Sequence, residues 1–346
     1  MTVRFATPEE ISQWNDLLLK NPDGGNIFQS YQIATVKQQS GWIARFLIAG
    51  QLAITVHERA VPGVGKLWYA PKGPGITSVE QLADILDDLT AFAKKRGVFA
   101  VKIEPELPAD ESIHEHLSNM GLRKVRAIQP NSSTVVIDTT PNLEEIKAGL
   151  HQKGRHAINR AARDGVTAKI MPVNDENCKI MYNLLKETAA GQWRMRSYEY
   201  YKAFWESFSR LGRGHFFFAY VDGVVVASAY SVLFGTKGTY KDGASVRERS
   251  VYGASHLLQW EIIEWMKLHG AVSYDLCGVP PSNAIKDETH PHYGLGRFKT
   301  SFNKEVTDYI GAYDIVVKPL KYKVWERVGE RATIRLHSYR FGEYWY

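Results

Sequence analysis

Apolar and polar positions alternate most regularly through HFFFAYVDGVVVASAYSVLF, on both sides of Asp222-Gly223. Alternation about an Asp-Gly centre predicts a β-hairpin, because the two turn positions need positive φ. A strand carrying Tyr240 runs next into Gly243-Ala244-Ser245. The period then changes: Leu257, Leu258, Ile262, Ile263 and Met266 recur near helical spacing, and Gly270 closes the helix. A further strand, Val272 to Leu276, leads into HPHYGLGRFKTSF. The same succession occurs earlier. ARFLIAG and QLAITVHERAV predict a hairpin turning at Gly50, KLWYAPKGPGI a strand with Tyr69, VEQLADILDDLTAFAKKRG a helix ending at Gly97, and VFAVKIEPE a strand. The residues differ between the two halves, so what repeats is the order of elements, which favours two copies of one fold.

Hairpin, strand, helix and strand in that order is the layout of an acyltransferase core of the GNAT type, in which two strands splay to admit a ligand. The expected fold class is therefore α/β with mixed sheets, a tandem of two GNAT-like domains. Around these cores the chain predicts a capped start at Thr7-Pro8-Glu9-Glu10, a short helix after Phe28-Gln29, and a long helix over 141–165 interrupted at Gly154. Helices are also expected from Asp175 to Ala190 and from Trp193 to Ser209. No linker-like stretch separates the halves. The expected division is 1–145, 146–317 and a basic helical segment 318–346 packed on the body.

Composition narrows the class. Apolar residues at 44% and charged residues at 23% are ordinary for a globular chain. No apolar run approaches the ~20 residues that span a bilayer, and Glu9, Glu10 and Asp16 exclude a signal peptide at the start. Two cysteines, Cys178 and Cys277, offer neither a disulfide framework nor a metal set, and His290 and His292 lack companion ligands. A cytoplasmic, monomeric protein without metal or cofactor is expected. The net charge of +6 permits an anionic partner without demanding one. It is concentrated between Lys147 and Lys169 and again beyond residue 317, where seven Lys/Arg face three Glu. Acyl-CoA is disfavoured as a ligand. Its pyrophosphate needs a run of free N–H groups at a glycine-rich turn, and Lys72-Gly73-Pro74-Gly75 is broken by proline, while Arg247-Glu248-Arg249-Ser250-Val251-Tyr252-Gly253-Ala254 lacks the pattern.

Nine stretches, in order and across nearly the whole chain, carry a family resemblance: IFQSYQIATVK, WYAPKGPGI, KIEP, KGRHAINRAARDGV, RMRSYEYY, YKDGAS, LLQWEIIEWMKLHG, YDLCGV and GLGRFKTSF. Together they resemble the FemABX family of non-ribosomal peptidyltransferases, in a short form without the coiled-coil arm. The resemblance implies transfer of an amino acid from aminoacyl-tRNA onto the stem-peptide amine of a peptidoglycan precursor. That precursor is either UDP-linked or lipid-linked, the latter used at the inner membrane face. It also implies roles. Lys299, with Phe298 before it, would lie at the reaction centre, where a cation beside an ester carbonyl stabilises the oxyanion. Arg196 and Tyr200, at i and i+4, would converge on the anionic precursor in a cleft shared with Lys299. Lys37, Tyr240, Tyr69 and Lys72 would complete the precursor site. Ser301 replaces the glycine usual in the family and is expected to alter the turn after Lys299. The basic C-terminal segment, with its Trp and Tyr residues, fits the acceptor end of tRNA through phosphate contacts and base stacking. The rival readings are an acyl-CoA-dependent N-acyltransferase and a non-enzymatic RNA-binding module.

Overall fold

The computed structural model describes residues 2–129, 132–191, 193–247 and 251–346. The chain forms two compact units, Met1–Ser132 with Tyr309–Tyr346, and Ser133–Asp308. The first unit carries β1 (Val3–Phe5), β2 (Ile43–Ala49), β3 (Leu52–Val61), β4 (Gly65–Ala70), β5 (Val98–Ile103) and β6 (Arg123–Val125). The second carries β7 (Ser133–Thr134), β8 (Val136–Asp138), β9 (Thr167–Met171), β10 (Gly214–Val221), β11 (Val224–Phe234), β12 (Lys237–Ser245), β13 (Ser273–Asp275) and β14 (Thr307–Asp308). The chain then returns to the first unit with β15 (Ala312–Val316). The sheet orders are β1-β2-β3-β4-β5-β15-β6 and β9-β10-β11-β12-β13-β8, and β7 pairs with β14. In each large sheet one parallel pair, β4–β5 or β12–β13, lies within an otherwise antiparallel ladder, with a helix as its crossover.

Both sheets are covered on both faces, so their central strands bury nearly every side chain. In the first unit, Leu82, Ile85 and Leu89 of helix Val79–Lys95 pack on Ile54, Val56, Trp68 and Val101. The opposite face gathers Trp42, Leu67, Tyr69, Phe99, Tyr322, Trp325 and Trp345. In the second unit, helix Ala254–Leu268 buries Leu258, Ile262, Ile263 and Met266 against Phe217, Ala229, Leu233 and Tyr274. Helices Asp175–Ala189 and Tyr198–Ser209 take the other face, where the Tyr230 hydroxyl donates to the Trp205 carbonyl at 2.6 Å.

The unit boundaries differ from those expected from sequence. β8 pairs with β13, which moves residues 133–145 into the second unit, and β15 pairs with β5 and β6, which moves 309–317 into the first. These pairings join segments far apart in sequence, and short strands of this kind carry no local signal of their partner. The helical stretch 141–165 breaks at Leu150-His151, not at Gly154, giving Leu143–Gly149 and Gln152–Arg163. Gly154 lies inside the second helix, where the bare Cα admits the Ser301 carbonyl: a Cβ there would sit 2.4 Å from that oxygen.

Candidate active site

The parallel pairing of β12 with β13 runs only from Lys237↔Ser273 to Thr239↔Asp275. β12 continues against β11 as far as Ser245, whereas the chain after Asp275 turns away, with Cys277 at φ +59° and its N–H held by Asp275 Oδ1 at 2.6 Å. Beyond the splay, Lys299, at the end of helix Tyr293–Lys299, donates from its Nζ to the carbonyls of Cys277 and Gly278 at 3.1 and 2.9 Å. The side chain is buried, and that burial holds its pKa below the ordinary lysine value against the opposing pull of Cys277 and Asp275. Among the described residues, two of the three ammonium donors are spent on these carbonyls, and the third is left for a ligand.

The Tyr240 ring centroid lies 5.7 Å from Lys299 Nζ. Tyr240 is also hydrogen-bonded to Gln259, whose Oε1 accepts from the Tyr274 hydroxyl at 2.8 Å; that hydroxyl in turn meets Ser231 Oγ at 3.1 Å. Burial, and then the charge of Asp242, push the Tyr240 phenol up, so it stays protonated. A Cβ at Gly243 would lie 1.5 Å from the Tyr240 oxygen, which explains the glycine in YKDGAS: it makes room for the phenol. Phe298 faces the core instead, edge-on to His256 at 4.9 Å and to Phe302 at 5.5 Å. Ser301 is accommodated without disturbing Lys299, since its hydroxyl donates to the Phe298 carbonyl and its own carbonyl accepts from His151 N–H at 3.0 Å.

Arg196 and Tyr200 form a second cluster. The guanidinium lies 4.8 Å from the Tyr200 ring, and both stand next to Tyr201. The register shift between Tyr230 and Ser231 leaves Lys241 as an extra residue, a bulge that turns Lys241 and Asp242 to the same side. There Lys241 Nζ meets Asp242 Oδ1 at 3.1 Å and lies 5.0 Å from the Phe204 ring, while Trp205 Nε1 donates to Asp242 Oδ2 at 2.9 Å. Burial would lower the Lys241 pKa, but Asp242 outweighs it and raises it. The structure therefore sorts the expected residues into two groups. Tyr240 and Lys299 lie toward helix Ala254–Leu268, whereas Tyr200 lies in the first turn of helix Tyr198–Ser209 and Arg196 just before its N-cap, Ser197; the helix expected from Trp193 starts five residues later, so the two do not share a helical face. Asp242 influences both groups, through Tyr240 and Tyr201. Lys241, Asp242 and Gln259 were given no role from the sequence, although YKDGAS and LLQWEIIEWMKLHG contain them; Gln259 is the one buried polar residue of helix Ala254–Leu268.

Lys37, Tyr69 and Lys72 belong to the first unit. Lys37 sits in the last turn of helix Tyr31–Gln38 and helps depress the pKa of His57, which burial takes down to about 3. The Tyr69 hydroxyl donates to Glu104 Oε2 at 2.6 Å and accepts from Gln129 Nε2 at 3.2 Å. Lys72, buried and at φ +50°, pairs with Glu106 at 3.3 Å and faces the Tyr309 ring at 4.9 Å. It lines a shallow pocket with Glu104, Gln129 and Ser132.

Two further expectations are corrected or bounded. Trp325 and Trp345 of the basic C-terminal segment are buried against Phe99 and Trp42, so their rings are not offered to bases. The approach to the N-terminus of helix Ala254–Leu268 is taken by helix Gln152–Arg163: a Cβ at Gly253 would lie 2.3 Å from the Ala157 carbonyl oxygen. Glu248, Arg249 and Ser250, just before it, lie outside the described residues.

The FemAB family model matches residues 215–329, a span that contains Tyr240, the splay and Lys299. Over 93% of its length the chain is 22% identical to the lipid II:glycine glycyltransferase of Staphylococcus epidermidis (strain ATCC 35984), covering 95% of that protein. The lipid II:glycine glycyltransferase of Staphylococcus aureus (strain USA300) is 21% identical over the same shares of the two chains. Among solved structures, FemX superposes with a TM-score of 0.82 at 19% identity, over 94% of this chain and all of that one. L-PGS from Bacillus licheniformis gives 0.56 at 15% identity, over 94% and 98%.

Proposed function

We propose that this protein is an aminoacyltransferase that moves an amino acid from aminoacyl-tRNA onto the stem-peptide amine of a peptidoglycan precursor. The observation that carries the reading is the buried ammonium of Lys299 at the β12–β13 splay, beside Tyr240 and with one donor unspent among the described residues. The names of the relatives support lipid II as the form of the acceptor.

In the reaction, the acceptor amine attacks the ester carbonyl of the aminoacyl-tRNA. A C–N bond forms, the ester C–O bond breaks, and the ribose hydroxyl leaves with the proton that the amine gives up. Lys299 donates to the carbonyl oxygen as charge develops on it, in a site where burial strengthens that interaction. An aminoacyl ester is already activated, so holding the two reactants together supplies much of the rate. No side-chain base is assigned. The Arg196–Tyr200–Lys241 cluster offers cations and phenols to an anionic group of the precursor. The rival use of acyl-CoA is opposed by the filled approach to Gly253.

The test is incubation with a mixed aminoacyl-tRNA pool and either lipid II or UDP-linked muropeptide, read by mass spectrometry. One added aminoacyl mass on the muropeptide supports the proposal; an acetyl mass from acetyl-CoA, or no transfer from any aminoacyl-tRNA, sinks it.

A further inference from the structure

The C-terminal arm of the first unit runs through helix Pro319–Val324, a π-helical turn Trp325–Gly329 and helix Glu330–Phe341. Its inner side is anchored. Tyr322, Trp325 and His337 are buried, and Arg59 holds the returning chain through the Trp345 carbonyl at 2.6 Å and the Trp345 ring at 3.9 Å. A helix docked in this way normally shows water a polar outer side. This one does not: Leu320 is 81% exposed, Val324 54%, Val328 62% and Leu336 67%, and Tyr339 and Phe341 follow at 91% and 58%. Leu320, Val324 and Val328 are four residues apart, with Leu336 two such steps further on. The π turn between the helices has more residues per turn, which keeps that row closer to one line. Exposed Lys323, Arg327, Arg331, Arg335 and Arg340 stand among these apolar positions.

Single exposed aliphatics need no explanation, but a row of them along one arm does. The cations decide between partners. Nucleic acid would use the arginines and tyrosines, yet gains nothing from leucine and valine. A bilayer surface uses both, taking aliphatic and aromatic side chains into the headgroup–acyl boundary while basic side chains meet anionic headgroups. No helix among the described residues is long and apolar enough to cross a membrane, so the contact is peripheral.

We propose that the outer side of this arm docks on an anionic lipid surface, with Leu320, Val324, Val328 and Leu336 entering the interface and Arg327, Arg331 and Arg335 facing lipid phosphates. The inference stands on the arm alone and does not require the transfer reaction. The full chain is sedimented with vesicles of equal parts phosphatidylglycerol and phosphatidylcholine, and with phosphatidylcholine alone, at low and at physiological salt. Preferential pelleting with the anionic vesicles, weakened by salt, is expected. Val328→Ser with Leu336→Ser lowers partition by about tenfold or more, and each of Arg331→Gln and Arg335→Gln lowers it roughly fivefold. The exposed serine pair leaves the circular-dichroism melt and transfer to a soluble UDP-linked acceptor unchanged, which separates failure of docking from failure of the enzyme reading. The proposal is overturned if the unmodified chain stays in the supernatant at low salt. It is also overturned if the serine pair partitions normally while the arginine variants lose only binding to bulk tRNA.

Discussion

The two parallel strand pairs began from the same plan and ended differently. β4 and β5 stay paired to Ala70↔Ile103, past a register shift at Lys66/Leu67, and the chain beyond is tied by Glu104 N–H to the Gly73 carbonyl at 2.9 Å. The polar groups at that end satisfy one another: Glu104 accepts from Tyr69 and from the backbone N–H groups of Ile128 and Gln129, and Lys72 meets Glu106. A buried polar group with its partners in place stabilises a fold and has little left to offer a ligand. β12 and β13 part at Thr239↔Asp275, and a lysine meets the carbonyls of Cys277 and Gly278 just beyond. One pair is closed by its own chain. The other is held open by a charge.

The contrast can be broken by experiment, and the largest effect belongs to the closed unit. Lys102 and Asp314 face each other across β5 and β15 at 3.0 Å, both fully buried. Lys102→Met leaves a carboxylate without its cation and is expected to cost about 3–5 kcal/mol in urea unfolding. Turnover per folded molecule should not change; a drop in kcat in the folded fraction would assign chemistry to the first unit as well.

Next comes Lys299→Ala in the open unit, expected to lower kcat by about 10²–10³ while the chain remains folded. Lys299→Arg keeps the charge and should recover part of the rate. Because burial lowers the Lys299 pKa, activity that needs the ammonium falls as pH rises through that lowered value, earlier than for an exposed lysine. The arginine variant should carry the alkaline limb to higher pH, and coincident limbs would remove Lys299 from the reaction.

A smaller effect tests the closed unit through pH. His57 is fully buried, neither ring nitrogen has a hydrogen-bond partner among the described residues, and its pKa is about 3. The unfolded chain takes up a proton at an ordinary value near 6.5 that the folded chain refuses. Stability is therefore intact above that value and falls toward pH 3 by at most ~1.4 kcal/mol per pH unit. His57→Phe should remove that slope from the stability–pH curve; a curve that keeps it would place the acid sensitivity elsewhere.

Tyr240→Phe is the gentlest probe. It removes the hydroxyl bonded to Gln259 and is expected to cost about 1 kcal/mol, with a change in KM or kcat exceeding the change in stability. A purely thermodynamic effect would make Tyr240 a core residue and leave Lys299 alone at the splay.

Much of this was legible in the chain. Asp222-Gly223 specifies its hairpin because those residues tolerate φ of +48° and +80°. The helix Ala254–Leu268 follows from the spacing of its apolar residues, and the family resemblance pointed to Lys299 and Tyr240. These are local properties, set by a few neighbouring residues and their backbone preferences. Four things were decided only by folding: the return of β15 to the first sheet, the break at Leu150-His151, the bulge that turns Lys241 toward Asp242, and the exposure of Leu320, Val324, Val328 and Leu336. Each depends on which distant segment comes to lie alongside. Pairing partners, register and burial are properties of contacts between residues far apart in the chain, and a linear pattern records the face a residue favours without recording what will cover it.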